Sequence, residues 1–190
     1  NIKIKNEEKI ISKDEQPYKA NLEKIPSLRP AFKKNGTVTA ANSSSISDGA
    51  SALMLMKEKE AHKRGLHPLA RIVCHETNSQ EPRWFTTAPI GAIRKALDKA
   101  KWTVGSVDLF EVNEAFAVVP MAVMKELSIP NDILNIHGGA CALGHPVGAS
   151  GTRIITTLIN ALIKNNLKKG IASLCIGGGE ATAMALELVN

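Results

Sequence analysis

Apolar positions along this chain recur with two different periods, and the switches between them mark its elements. Ile90, Ile93, Leu97 and Ala100 keep a three-or-four spacing, which predicts a helix that starts near Pro89. Ala115–Leu127 reads as a second helix. Ile154–Ile163, apolar almost all the way round, predicts a buried one. An earlier helix is expected over Ala50–Arg64, capped by Ser47 or Asp48 and stopped by Gly65. Short β-type runs lie between: Leu69–His75, Val107–Val112, Ile133–Ile136 and Ile171–Ile176, with Thr37–Ala41 a shorter candidate. Ala181–Val189 alternates Thr182, Met184, Leu186 and Leu188 with small residues, so it predicts a strand. The tight turn before it makes the pair antiparallel. Trp84–Thr87 reads as loop. Residues 1–35 are the most polar part, with Lys3–Lys5 and Lys9–Ser12 as short strand candidates and Pro17, Pro26 and Pro30 as punctuation.

Strand and helix therefore alternate and close with a hairpin. The expected class is α/β, a mixed five-stranded sheet covered by helices. Ligands in such sheets bind at the carboxyl ends of strands. Asn113, His145 and Cys175 each stand just after or at the end of a predicted strand.

Two glycine-rich stretches carry the candidate chemistry. Residues 138–153 hold five of the fourteen glycines and enclose His145-Pro146. The histidine would sit in a tight turn at the mouth of a helix, where backbone N–H groups favour developing negative charge. Cys175 ends an apolar run and precedes Gly177-Gly178-Gly179. A cysteine there suits proton transfer beside an oxyanion site, whereas a lone buried cysteine is more often inert packing.

Composition narrows the picture. The net charge is +6, but the lysines are scattered along helix ends and faces. With two Trp, one Tyr and four Phe there is no stacking platform for bases, so nucleic acid is not the expected partner. The basic balance reads first as a solvated surface, with an anionic, phosphate-bearing small molecule as the alternative. Cys74, Cys141 and Cys175 have neither disulfide-framework nor metal spacing, which suits a reducing, cytoplasmic setting. The apolar runs are too short for a membrane span. No apolar core follows the charges of Asn1–Lys5, so they do not read as a signal peptide.

Asn113-Glu114-Ala115-Phe116-Ala117, the Gly-His-Pro stretch through Gly151, and Cys175-x-Gly177-Gly178-Gly179 together resemble the three C-terminal signatures of the thiolases. Arg29-Pro30-Ala31-Phe32, Asn42-x-Ser44 and Asp48-Gly49 are similar as well, in the biosynthetic, acetoacetyl-CoA type. The resemblance implies Claisen condensation of two acetyl-CoA to acetoacetyl-CoA plus CoA, and the reverse thiolysis. The family needs no cofactor or metal beyond its coenzyme A thioester substrates, and it tends to dimers and tetramers.

Carried over residue by residue, Cys175 matches the acid/base that takes a proton from the acetyl α-carbon. A neighbouring imidazole or dipoles would bring its pKa toward neutrality. His145 matches the residue that activates a nucleophilic cysteine and donates to a thioester oxygen. Asn113 matches the holder of a water in one oxyanion hole, and the Gly177 N–H a donor of the other. Ser44 matches a pantetheine contact. Leu28, Ala31, Phe32 and Ala40 match the wall around CoA, Ala115 and Phe116 the acyl pocket, and Phe85 a bulky pocket residue. Glu114 is expected to cap a helix N-terminus.

The sequence departs from the family at Ala41 and Ser45, where glycine is common. None of its three cysteines has the context of the nucleophile. Residues 1–35 resemble the tail of the loop domain, and residues 36–190 the C-terminal half. An N-terminal half is the implied partner. The alternatives are a degradative 3-ketoacyl-CoA thiolase and a non-catalytic CoA-binding or scaffolding remnant.

Overall fold

The computed structural model describes residues 2–189, apart from the side chain of Lys19. Asn1 and Asn190, at the ends of the two expected domains, lie outside the described residues. Strands β1 (Ile2–Ile4) and β2 (Glu7–Lys9) form a small antiparallel pair, and a one-turn helix α1 (Gln16–Lys19) follows. Thr37–Ala41 is not a strand. The Thr39 hydroxyl accepts the Ala41 N–H and the Asn42 side chain accepts that of Thr39, which winds Ala40–Asn42 into a 3-10 turn.

The helix expected over Ala50–Arg64 is also shorter, because only α2 (Glu58–Lys63) forms. Residues 50–57 have no regular structure. Met54 and Leu55 are 82% and 70% exposed. Helices draw most of their stability from packing an apolar face, and among the described residues nothing covers this one.

The core is built from β3 (Ala70–Ser79), α3 (Ala88–Ala100), β4 (Leu109–Val112), α4 (Val118–Leu127), α5 (Ala140–Leu143), α6 (Ser150–Lys164), β5 (Lys169–Ile176) and β6 (Glu180–Leu188). The sheet order is β3-β6-β5-β4. β4 and β5 run parallel, while β5–β6 and β6–β3 are antiparallel, so the predicted closing hairpin is present. Trp84–Thr87 lies within 3-10 structure, Pro82–Thr87, kinked at Trp84, rather than in an irregular loop.

The sheet has four laddered strands, not five. The expected strand over Ile133–Ile136 is reduced to a single bridge between Phe110 and Leu134. Asn135 turns left-handed (φ 49°), which ends any ladder there. Its side-chain amide replaces the missing strand, accepting the Val112 N–H at 2.7 Å and donating to the Val112 carbonyl at 2.8 Å. The helix expected from Ala115 begins three residues later. Residues 115–117 bond instead to the 42–44 loop, through Ser44 N–H to Ala115 O and Ala117 N–H to Asn42 O.

Each face of the sheet carries its own packing. On one face, Ala181, Ala183 and Ala185 of β6 meet Ala92, Ile93 and Ala96 of α3. Alanine on both sides brings helix and sheet close, and truncating the fully buried Ile93 to alanine would cost about 2–5 kcal/mol. On the other face, Ile154, Leu158 and Leu162 of α6 cover Leu109, Ala172 and Leu186. Gly170 is required there, since a Cβ would stand 2.8 Å from Leu158. The opposite side of α6 is not buried as the sequence suggested: Ile163 is 45% exposed. Because β4 and β5 are parallel, Asn113 and the Cys175–Gly177 turn emerge at the same sheet edge.

Candidate active site

Asn113 extends β4 by one residue, its N–H bonded to Ser173 O at 2.9 Å. It is 1% exposed, so its side chain has only protein partners. His145 is delivered by the glycine loop. Gly144 before it has φ 93°, open to glycine and strained for other residues. The His145 N–H then bonds Ser45 O at 2.8 Å. Its ring lies between two side chains: Nε2 is 3.4 Å from Asn113 Nδ2, and Nδ1 is 2.6 Å from Ser150 Oγ. Burial, and then the charge of Arg153, hold its pKa below the ordinary histidine value.

Cys175 lies near the end of β5. It packs among Cys74, Phe110, Val112 and Ala181, on the α3–α4 face of the sheet. Asn113 reaches Arg153 of α6, on the other face. Among the described residues no hydrogen bond joins Cys175 to Asn113 or His145. Its pKa is raised by burial, the opposite of the shift toward neutrality that a nearby imidazole would bring. Gly177 follows in an exposed turn closed by Gly179 N–H to Ile176 O. Open space stands where a Gly177 side chain would be.

The expected wall residues are partly gathered. Phe116 meets Phe32 edge-on at 5.5 Å and Phe85 at 6.2 Å between ring centroids, an aromatic cluster beside Ala115. Phe32 is nonetheless 74% exposed, and Ala31 and Ala40 are exposed. Leu28 is half-buried. The Ser44 hydroxyl donates to Ala115 O at 3.0 Å, tying its loop to the segment that carries Phe116. Glu114 does serve a helix N-terminus, that of α5: its carboxylate accepts the Cys141 N–H at 3.1 Å. The same carboxylate accepts from Asn135 at 3.0 Å, and Gly139 leaves it room.

Four contributors were not singled out from the sequence. Glu111 and Arg153 form an ion pair at 3.1 Å, with Glu111 2% exposed. Ser150 orients the imidazole, and Asn135 holds β4. Two signals for the pair were present: a glutamate between Phe110 and Val112, and an arginine opening an otherwise apolar helix. Buried charges of that kind are paired.

Sequence and fold both match a known family. The thiolase C-terminal domain matches residues 66–188 and the thiolase N-terminal domain residues 1–59. The chain belongs to the thiolases. It is 49% identical over 98% of its length to an acetyl-CoA acetyltransferase of Paracoccus denitrificans, and 52% identical over 93% to a probable one of Dictyostelium discoideum. In three dimensions it superposes on the acetyl-CoA acetyltransferase of Bacillus anthracis with a TM-score of 0.92, at 44% identity over 99% of the chain. A thiolase of Ascaris suum in complex with coenzyme A aligns with a TM-score of 0.84 over 94% of the chain. This chain spans about half of each, 43–48% of their lengths. The two family matches divide between residues 59 and 66.

Proposed function

We propose that this chain is the C-terminal catalytic part of an acetyl-CoA C-acetyltransferase, completed by an N-terminal half that brings the nucleophilic cysteine. The observation that carries the proposal is the contact between buried Asn113 and half-buried His145 at the carboxyl end of β4, the sheet edge from which the Gly177 turn also emerges. In this reading His145 Nε2 takes the proton of the nucleophile. Asn113, through a water that it holds, and the Gly177 N–H stabilise the oxyanions that form on the thioesters. Cys175 as thiolate removes a proton from the acetyl α-carbon, and the carbanion attacks the acyl-enzyme carbonyl while the nucleophile's thiolate leaves. In thiolysis Cys175 starts as the thiol and returns that proton to the departing carbon. Its raised pKa suits this acid role.

Residues 1–35 are read as the tail of the loop domain. Leu28, Ala31, Phe32, Ala40 and Ser44 line the CoA arm, and Ala115 and Phe116 the acyl group. The substrates are acetyl-CoA, acetoacetyl-CoA and CoA, with no resident cofactor. The assembly is a cytoplasmic homo-oligomer of completed units. Among the described residues no helix is long and apolar enough to cross a membrane. Relatives named acetyl-CoA acetyltransferase reach 52% identity, and a human mitochondrial 3-ketoacyl-CoA thiolase 38%, which favours the short-chain reading over the degradative one. The shared presence of Asn113, His145 and Cys175 speaks against an idle scaffold.

The deciding experiment is CoA-dependent loss of acetoacetyl-CoA with this chain, with an N-terminal half, and with both. Activity only with both supports the proposal. Activity from this chain alone, or none from the pair, overturns it.

A further inference from the structure

Glu111, Arg153, Asn113, His145, Ser150 and the Pro146 carbonyl form one unbroken line of hydrogen bonds. We infer that Arg153, steadied by Glu111, is a positioning residue that turns the Asn113 amide and so holds His145 as the Nδ1–H tautomer, with Nε2 the unprotonated, accepting nitrogen. The inference deepens the proposed use of Asn113 and His145, and its own readout is independent of turnover.

The argument is one of donors and acceptors. A guanidinium has only donors. Arg153 splits its fork: Nη1 lies 3.1 Å from Glu111 Oε1 and 3.4 Å from Thr157 Oγ1, and Nη2 lies 3.4 Å from Asn113 Oδ1. The asparagine must therefore turn its oxygen to Arg153, since the flipped amide would set N–H against N–H. That leaves Asn113 Nδ2, a donor, facing His145 Nε2, which has to accept. The other end of the line agrees once the Asn113 end has set the tautomer: Pro146 O, which also takes the Ala149 N–H at 2.8 Å, accepts the Ser150 hydroxyl proton at 3.0 Å, and Ser150 Oγ accepts from His145 Nδ1 at 2.6 Å.

Ser150 is fully buried and Asn113 1% exposed, so water does not relax either constraint. The Nδ1–H form is the minor neutral tautomer of free histidine in water, and the protein has to enforce it. Its use is direct: an Nε2 lone pair can take a thiol proton, after which Nε2–H becomes a donor to a thioester oxygen. Glu111 keeps the arginine from swinging toward solvent, and its charge balances Arg153 inside the protein.

The test is a two-bond proton–nitrogen correlation of the histidine rings in this full chain, labelled with nitrogen-15, above the histidine titration range. The five histidines are separated by assigning His145 through its loss in His145→Gln. The expected pattern is a pyridine-like Nε2 and a pyrrole-like Nδ1. In Arg153→Met the amide is free to flip, and the two nitrogen shifts should move toward each other. In Asn113→Asp the side chain has only acceptor oxygens, and Nε2 should become protonated. A pyrrole-like Nε2 in the unaltered chain overturns the inference, and so does an unchanged pattern in a folded Arg153→Met variant. Should the other four histidines show that Arg153→Met is unfolded, the near-isosteric Asn113→Asp decides, and an unmoved Nε2 there overturns it. The functional reading fails separately: an Nδ1–H ring without thiolysis by the complemented pair rejects the activity and leaves the tautomer standing.

Discussion

Glu111 and Arg153 meet across the sheet–helix boundary, Nη1 to Oε1 at 3.1 Å, with the carboxylate 2% exposed and bonded to one fork of the guanidinium. Burial raises the Glu111 pKa to about 7, Arg153 pulls it back, and Glu114 adds a smaller push upward. For an acid whose pKa is higher folded than unfolded, stability is fully present at low pH and falls as pH rises through the folded value. The stability difference between the unaltered chain and Glu111→Gln should therefore shift by on the order of 3 kcal/mol against the unaltered chain from about pH 4 to pH 8. Urea unfolding of both chains across that range measures it.

His145 shows the opposite sign. Burial and Arg153 lower its pKa, so the neutral ring persists below the ordinary histidine value of 6.5. The acid limb of the thiolysis pH profile of the complemented protein should lie below that value. In Arg153→Met it should move toward higher pH. The profile of kcat/KM reads both directly.

The three thiols are all held up by burial, Cys141 to about 11, with Glu114 adding its charge there. Alkylation by iodoacetamide near neutral pH should run at least about tenfold slower in the folded chain than in urea, because the thiolate is the reacting species. Mass spectrometry of the modified peptides follows each cysteine separately.

A side chain at Gly144 would meet two obstacles. The backbone there is left-handed at φ 93°, and the Ser47 hydroxyl occupies the space a Cβ would need. Gly144→Ala should lose about 1–3 kcal/mol from backbone strain alone. Adding Ser47→Gly should recover only the steric part. Thermal unfolding of the single and double variants separates the two.

Phe116 links Phe32 and Phe85. Phe116→Ala removes both edge-on contacts, each about 0.5–1.5 kcal/mol. If this cluster borders the acyl arm as proposed, KM for acetoacetyl-CoA in the complemented protein should rise about tenfold, with a smaller change in kcat. Steady-state kinetics decide it.

The sequence was most legible where one element packs on one other. The period of Ile90, Ile93 and Leu97 marked α3 closely, and the alternation after Glu180 marked β6. It misled where a side chain does the work of backbone. Asn135 pairs with Val112 in place of a strand, and Thr39 and Asn42 wind a turn where β-type residues suggested extension. Neither effect has a period. The site was legible as motifs, and Asn113 and His145 do meet. The orientation of Cys175 onto the opposite sheet face was not, because it depends on strand register, which motif spacing does not encode.

The bare apolar run at residues 52–56 has a consequence for how such a protein is made. A chain that shows Met54 and Leu55 to water presents the kind of surface that chaperones hold and proteases clear. If a second polypeptide covers it, synthesis of the two has to be matched in time and amount, since surplus of this chain would be degraded rather than stored. The half-life of this chain in a cell should then report how much of its counterpart is present.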